Sequence, residues 1–295
     1  MTGRVVIWGI GQIYNQYVNA FRYLESVNKI KIVGLTDKRL PDYSYLDGWR
    51  LIEKNALQGV EFDWIIVMSK EYFAEIANDA KEIGIDESKI FSYKIMNIPN
   101  LDFEQYYLLK KSKVSIISNN CWGGLFYSTL GLECCSPFKD LFVEDEDYIR
   151  LLSDFKNYVT KELSFFSFGI DPHSHAKYPI MLLGDVKIHC NHDSDPEEAK
   201  AKWNRRKQKL NWDNVFVEMY TENVNIAEKF ALLDKFSNKI AFVPFKSDYE
   251  CVKQIALYPG HIEFYETVNR NASNTGYMYN MLDVLNGKLS LRVHH

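Results

Sequence analysis

Apolar residues fall in short continuous runs that alternate with stretches of helical spacing. Arg4 to Trp8 is such a run, and it stops at Gly9-Ile10-Gly11. From Gln12 to Leu24 the apolar positions recur at steps of three and four, placing Ile13, Tyr17, Ala20, Phe21 and Leu24 on one face. Lys31 to Thr36 is a second run, ended by Asp37, and Trp64 to Met68 is a third. Glu71 to Ile83 reads as a helix closed by Gly84, and Lys89 to Tyr93 as a fourth strand. Continuous apolar strands separated by helices predict βαβ units, with a parallel sheet covered on both faces. The expectation is an α/β chain whose first domain, residues 1–98, is a Rossmann-like parallel sheet.

Asn97 to Lys113 breaks the rhythm with Pro99 and a short amphipathic helix, which predicts a linker over about residues 99–113. A second α/β domain is expected over residues 114–295. It opens with the apolar run Val114 to Ser118 and the polar turn Asn119-Asn120-Cys121-Trp122-Gly123-Gly124. Asp145 to Leu163 reads as one long helix, since Tyr148, Leu151, Leu152, Phe155, Tyr158, Val159 and Leu163 share a face. Strands are expected at Ile180–Leu183 and Val186–His189. Asp195 as N-cap, Pro196 at the first helical position and Glu198 completing a capping box start a helix that runs to about Leu210. Val215–Met219 (strand), Ile226–Phe236 (helix) and Ile240–Phe245 (strand) follow.

Composition narrows the function classes. Thirty-five Lys+Arg against 39 Asp+Glu leave a net charge of −4, which argues against a nucleic-acid binder with a basic body. No stretch approaches ~18 consecutive apolar residues, and the glycine turn arrives too early for a signal peptide. A cytoplasmic location is the expectation. Five cysteines without a CxxC spacing predict reduced thiols rather than a disulfide framework.

Four features could carry chemistry. Gly9 and Gly11 stand where a dinucleotide fingerprint belongs, and Asp37 where an acid would hold a ribose hydroxyl, so a nucleotide is the candidate cofactor. Tyr14 takes the third glycine's place, and its bulk argues instead for a scaffold without cofactor. Four histidines, His173, His175, His189 and His192, lie within twenty residues, with Asp185 and Asp193 beside the latter pair. Their spacing fits no standard zinc pattern, so no metal is expected. His189, held by the apolar strand of Val186 and Ile188, is the candidate base.

The segment Lys200 to Lys209 gathers six cations around Trp203. Such a stripe suits an anionic, phosphate-bearing donor, and equally a solvated helix face. Cys121, just after a strand, has the position of a strand-to-turn nucleophile. The alternative makes Asn119, Asn120, Gly123 and Gly124 hydrogen-bond donors to a polar ligand, with the thiol merely packed.

The motif Ser118 to Gly124, with Leu130-Gly131-Leu132, Ser136-Pro137-Phe138, Tyr178-Pro179, Leu183 to His189, Lys202 to Arg206 and Asn211 to Asn214, resembles one bacterial family, domain of unknown function 1919. The resemblance covers about residues 114–245. Members are often labelled exopolysaccharide biosynthesis proteins, and the first domain looks like the small Rossmann-like modules that precede catalytic domains in bacterial carbohydrate-modifying proteins. The resemblance implies site residues at Asn119, Asn120, Trp122, Gly123, Gly124, Asp185, His189, His192, Trp203, Arg205, Arg206, Asn211 and Asn214.

The resulting expectation is a protein of surface-polysaccharide assembly, a glycosyltransferase-like enzyme using a phosphate-activated sugar. Arg205 and Arg206 would hold phosphate, Asp185 and His189 would supply base or metal functions, and Asn119, Asn120 and Trp122 would shape the acceptor pocket. The alternative is a non-catalytic module that binds glycan or a partner protein.

Overall fold

The computed structural model describes residues 2–98, 101–172 and 174–255, together with Leu282 and Leu285. His173, and the rest of the second domain beyond residue 255, lie outside the described residues. Two units divide the chain between Lys111 and Ser112.

In the first unit the chain runs β1 (Gly3–Trp8), α1 (Gln12–Ser26), β2 (Ile30–Thr36), β3 (Tyr45–Leu46), β4 (Trp49–Arg50), β5 (Trp64–Val67), α2 (Phe73–Glu82), β6 (Ile90–Ser92) and α3 (Phe103–Ser112). β1, β2, β5 and β6 form a parallel sheet in the order β2-β1-β5-β6. The apolar runs become these strands because both their faces are buried: Val5, Val6, Ile7, Ile65, Ile66 and Val67 are fully covered. α3, in the stretch predicted as a linker, packs its Phe103 on Trp64 and its Tyr106 on Phe91. Its Lys110 donates to the backbone carbonyls of Glu87 and Ile90, and burial pulls that ammonium down to about 8.

The glycine turn lies at the carboxyl end of β1, where the strand order reverses. Gly9 has φ +105, a conformation that excludes ordinary side chains. The Ile10 amide of this turn donates to Asp37 Oδ2 at 2.9 Å, so the acid at the end of β2 closes the turn. Tyr14 does not push α1 away as its bulk suggested. It is fully buried, stacks on Phe21 and donates to Asp47 Oδ2, in the turn joining β3 to β4, at 2.8 Å.

The second unit runs β7 (Ser115–Ser118), α4 (Trp122–Thr129), α5 (Asp145–Ser153), α6 (Phe155–Thr160), β8 (Leu163–Ile170), β9 (Lys177–Leu183), β10 (Val186–His189), α7 (Pro196–Lys207), β11 (Val215–Tyr220), α8 (Val224–Ala231), β12 (Lys239–Val243) and β13 (Val252–Gln254). Its parallel sheet has the order β13-β12-β11-β7, and β10-β9-β8 form a separate antiparallel sheet. One core joins them: Tyr148, Leu151 and Leu152 from α5 and Leu183, Val186 and Ile188 from the antiparallel sheet are all fully buried with Val217 and Met219 of β11.

The long helix expected over Asp145–Leu163 is three elements. Asp154, at φ −139, interrupts it, its carboxylate taking a hydrogen bond from Asn157 while Ser153 Oγ turns back on the Arg150 carbonyl. Leu163 then opens β8. That strand keeps Phe165, Phe166, Phe168 and Ile170 exposed along the sheet edge, where helical spacing gives no signal. The cap of α7 matches the sequence: Asp195 Oδ1 accepts from the Glu198 amide at 2.9 Å behind Pro196. Glu198's own carboxylate pairs with Lys202. No helix of the described residues is long and apolar enough to cross a membrane.

Candidate functional site

β7 ends at Ser118, and a three-residue turn delivers Cys121 to the N-cap position of α4. The turn is tied down almost entirely by its own neighbours. Asn119 Nδ2 donates to the Tyr220 carbonyl at 3.0 Å and to Asp145 Oδ1 at 3.4 Å, and its Oδ1 accepts from the Tyr220 amide at 3.1 Å. Asn120 Nδ2 donates to Asn119 Oδ1 (2.9 Å) and Glu218 Oε1 (3.4 Å), while its Oδ1 accepts from the Trp122 amide at 2.8 Å. The Gly123 amide donates to Ser118 Oγ at 3.2 Å. These polar groups are therefore spent on the fold rather than offered to a ligand.

Gly123 and Gly124 serve close packing. A Cβ on Gly123 would meet Ile116 Cγ2 at 2.9 Å, and one on Gly124 would meet Asp140 Oδ1 at 2.3 Å. Trp122, expected in an acceptor pocket, is fully buried against Phe126, Phe216 and Phe242.

Asn120 and Cys121 are the half-buried side chains of this turn, and the thiol is the one that meets a histidine. Cys121 Sγ lies 3.3 Å from Nε2 of the exposed His192, in the loop after β10. Asn191 hydrogen-bonds the same sulfur. Burial, with help from Asp140 and, once ionised, Glu218, pushes the Cys121 thiol up to about 11, so at neutral pH it carries its proton. A neutral thiol beside an imidazole at a helix N-terminus is a nucleophile that fires only when the base takes its proton in the attack.

Asp185 and His189 do not form the base pair expected of them. Asp185 sits in the β9–β10 turn, accepting from Tyr158 OH at 2.6 Å and facing Arg150 at 3.6 Å, while His189 is at the far end of β10. His189 Nδ1 is 3.2 Å from Tyr178 OH, its ring lies edge-on to Phe142, and burial lowers its pKa. Asp193 is bonded to Lys202. His175 is exposed on the β8–β9 loop. Among the described residues no three His, Cys, Asp or Glu side chains gather as metal ligands would.

The cationic helix is largely neutralised. Lys202 reaches Asp193 and Glu198, and Lys209 reaches Glu133. Arg206 donates to the Lys139 carbonyl at 2.7 Å and faces Asp140 at 3.8 Å, so its guanidinium is engaged by the protein itself. Arg205 is exposed, and Trp203 is buried edge-on to Phe138. Asn211 and Asn214 tie down the Ser112 carbonyl, three residues before β7 begins and at the opposite end of that strand from Cys121.

Sequence reasoning missed Glu218. It is a lone acid in the apolar strand β11, fully buried, and accepts from Ser118 Oγ at 2.5 Å. A charge in a run that is otherwise apolar but for Tyr220 was the available signal. It also missed Asp145, whose carboxyl is raised by burial and receives the Thr221 hydroxyl at 2.5 Å.

Three comparisons bear on kinship. Residues 1–91 match the model of the C2185-like N-terminal family. A protein of Haemophilus influenzae, described as uncharacterised, is 32% identical over 149 residues, which is 48% of this chain and 69% of that protein. The domain of unknown function DUF1919 matches residues 92–286, about two thirds of the chain and the whole of the Cys121–His192 site. The chain belongs to the DUF1919 family.

Proposed function

We propose that the second unit is a thiol-dependent acyl-transfer enzyme with Cys121 as nucleophile and His192 as its base. The observation that carries this reading is the 3.3 Å contact between Cys121 Sγ and His192 Nε2, at the carboxyl end of a parallel sheet and the N-terminus of α4. His192 takes the thiol proton as Sγ bonds to the carbonyl carbon of an ester or thioester. The leaving alcohol or thiol departs with that proton, and the acyl group stays on sulfur. A hydroxyl then attacks the acyl carbon with His192 again as base, Sγ leaves, and the thiol recovers its proton. The positive end of α4 favours the developing thiolate.

The acceptor in this reading is a carbohydrate hydroxyl, with water as the hydrolytic substitute. The label carried by many family members, exopolysaccharide biosynthesis, supports that class and a setting in surface-polysaccharide assembly. Transfer from a phosphate-activated sugar is the weaker version, because Arg206 is bonded to Lys139 and Asp140. A second reading, a glycan- or protein-binding module, has one observation behind it: the exposed Phe165, Phe166, Phe168 and Ile170 along the edge strand β8.

The experiment is turnover of p-nitrophenyl acetate. Cys121→Ser is expected to lower the rate by about 10³-fold or more, as removal of a nucleophile does. A Cys121→Ser protein that turns over like the wild type removes the acyl-transfer reading and leaves the binding module.

A further inference from the structure

We propose that Glu218 is the positioning residue of the Cys121 turn and that its proton gates the thiol: the neutral acid permits attack, and the carboxylate suppresses it. The geometry is a pair of relays that meet at this one carboxyl group. Glu218 Oε2 accepts from Ser118 Oγ at 2.5 Å, and Ser118 Oγ accepts from the Gly123 amide at 3.2 Å. Glu218 Oε1 accepts from Asn120 Nδ2 at 3.4 Å, and Asn120 Oδ1 accepts from the Trp122 amide at 2.8 Å. The residues immediately before and after Cys121 are thus both held by Glu218, 97 positions later in the chain.

Glu218 is fully buried, and although the Ser118 and Asn120 donors favour its carboxylate, burial outweighs them both. β7 sets Ser118 beside it in register, and β12 sets Ile240. α5 contributes Tyr148, whose hydroxyl donates to the backbone carbonyls of Ile117 and Glu218 rather than to the carboxyl group. The turn contributes Asn120 and Cys121. The charged or titratable groups that act on Cys121 are Asp140, Glu218 and His192. An ionised Glu218 acts on the sulfur by repulsion, making the thiolate harder to form. Burial pushes the Glu218 carboxyl up to about 8, so both of its states are reached within the range where enzymes are assayed.

This inference rests on Cys121 being the nucleophile, but the thiol itself reports on it without any substrate. The experiment is the rate of Cys121 alkylation by iodoacetamide, followed by peptide mass from pH 6 to 10, in the full-length wild type, Glu218→Gln and Glu218→Ala. For an isolated thiol below its pKa the rate climbs tenfold per pH unit. The wild-type climb is expected to flatten around pH 8 as Glu218 ionises. Glu218→Gln, neutral and able to accept from Asn120 while its amide NH2 donates to Ser118 Oγ, is expected to climb without the break and to exceed the wild type by roughly 3–10-fold at pH 9. Glu218→Ala loses the relays, and its rate is expected to depart from that of Glu218→Gln at every pH.

A Glu218→Gln profile that superimposes on the wild type overturns the gate. Glu218→Gln and Glu218→Ala profiles that coincide overturn the positioning role. A break at pH 8 in a protein that shows no ester turnover keeps this inference and removes the acyl-transfer reading.

Discussion

His192→Ala is expected to slow acylation of Cys121 at pH 7 by about 10²–10⁴-fold, the usual worth of a positioned general base. The magnitude has an independent check. With its thiol held up to about 11, Cys121 left to ionise unaided is thiolate in only about one molecule in 10⁴ at pH 7. The variant's rate is therefore expected to climb with pH toward the wild-type rate, because hydroxide replaces the missing base. Stability should move by less than about 0.5 kcal/mol, since His192 is an exposed side chain in a loop. Stopped-flow acylation over a pH series, with a urea denaturation curve for each protein, measures both. Equal rates at pH 7 would show that the 3.3 Å contact has no catalytic use.

Trp122→Ala is the largest stability effect expected, about 3–5 kcal/mol. Trp122 is fully buried and meets the Phe126, Phe216 and Phe242 rings at 4.3, 6.1 and 6.0 Å between centroids. Its removal opens a cavity where α4 packs on the parallel sheet, directly beneath the Cys121 turn. Domains of this size are stable by only 5–15 kcal/mol in general, so the loss is a large fraction of the total. Trp122→Phe keeps most of the apolar volume and is expected to cost clearly less. Urea denaturation decides between this account and the sequence expectation of an acceptor-pocket tryptophan. In that case Trp122→Ala would weaken ligand binding and leave the midpoint in place.

What could be read from the sequence was local. The apolar runs that became β1, β2, β5 and β7 needed only their own composition, and the Asp195-Pro196-Glu198 start of α7 needed only four residues. β8 was lost because Leu163 continues a helical face by spacing alone; the interruption at Asp154 depends on local side-chain bonds that no periodicity reports. The turn from Asn119 to Gly124 was singled out in the sequence with two readings open, a nucleophilic Cys121 or asparagine and glycine donors facing a ligand. Both asparagines and both glycines serve the turn itself, and the thiol is what meets His192.

The partners that give that thiol meaning come from far away. His192 is 71 residues along the chain from Cys121, and Glu218 is 100 residues from Ser118. The antiparallel β8–β10 sheet returns the chain to the turn and delivers His192, while β11 pairs with β7 to place Glu218. Residue spacing carries no trace of either pairing. The same topology separates Asp185 from His189 by the length of β10, although both were expected in one site. Arg206 reads as a phosphate ligand by composition and as a structural donor once the Lys139 carbonyl is beside it.

The central claim, a covalent acyl group on one particular sulfur, is tested most directly by trapping it. The full-length protein is mixed with p-nitrophenyl acetate, quenched in acid within the first turnover and mapped by peptide mass. A single acetyl on Cys121, with Cys134, Cys135, Cys190 and Cys251 unmodified, is the predicted result. Turnover accompanied by an unmodified Cys121 peptide at every quench time would contradict it.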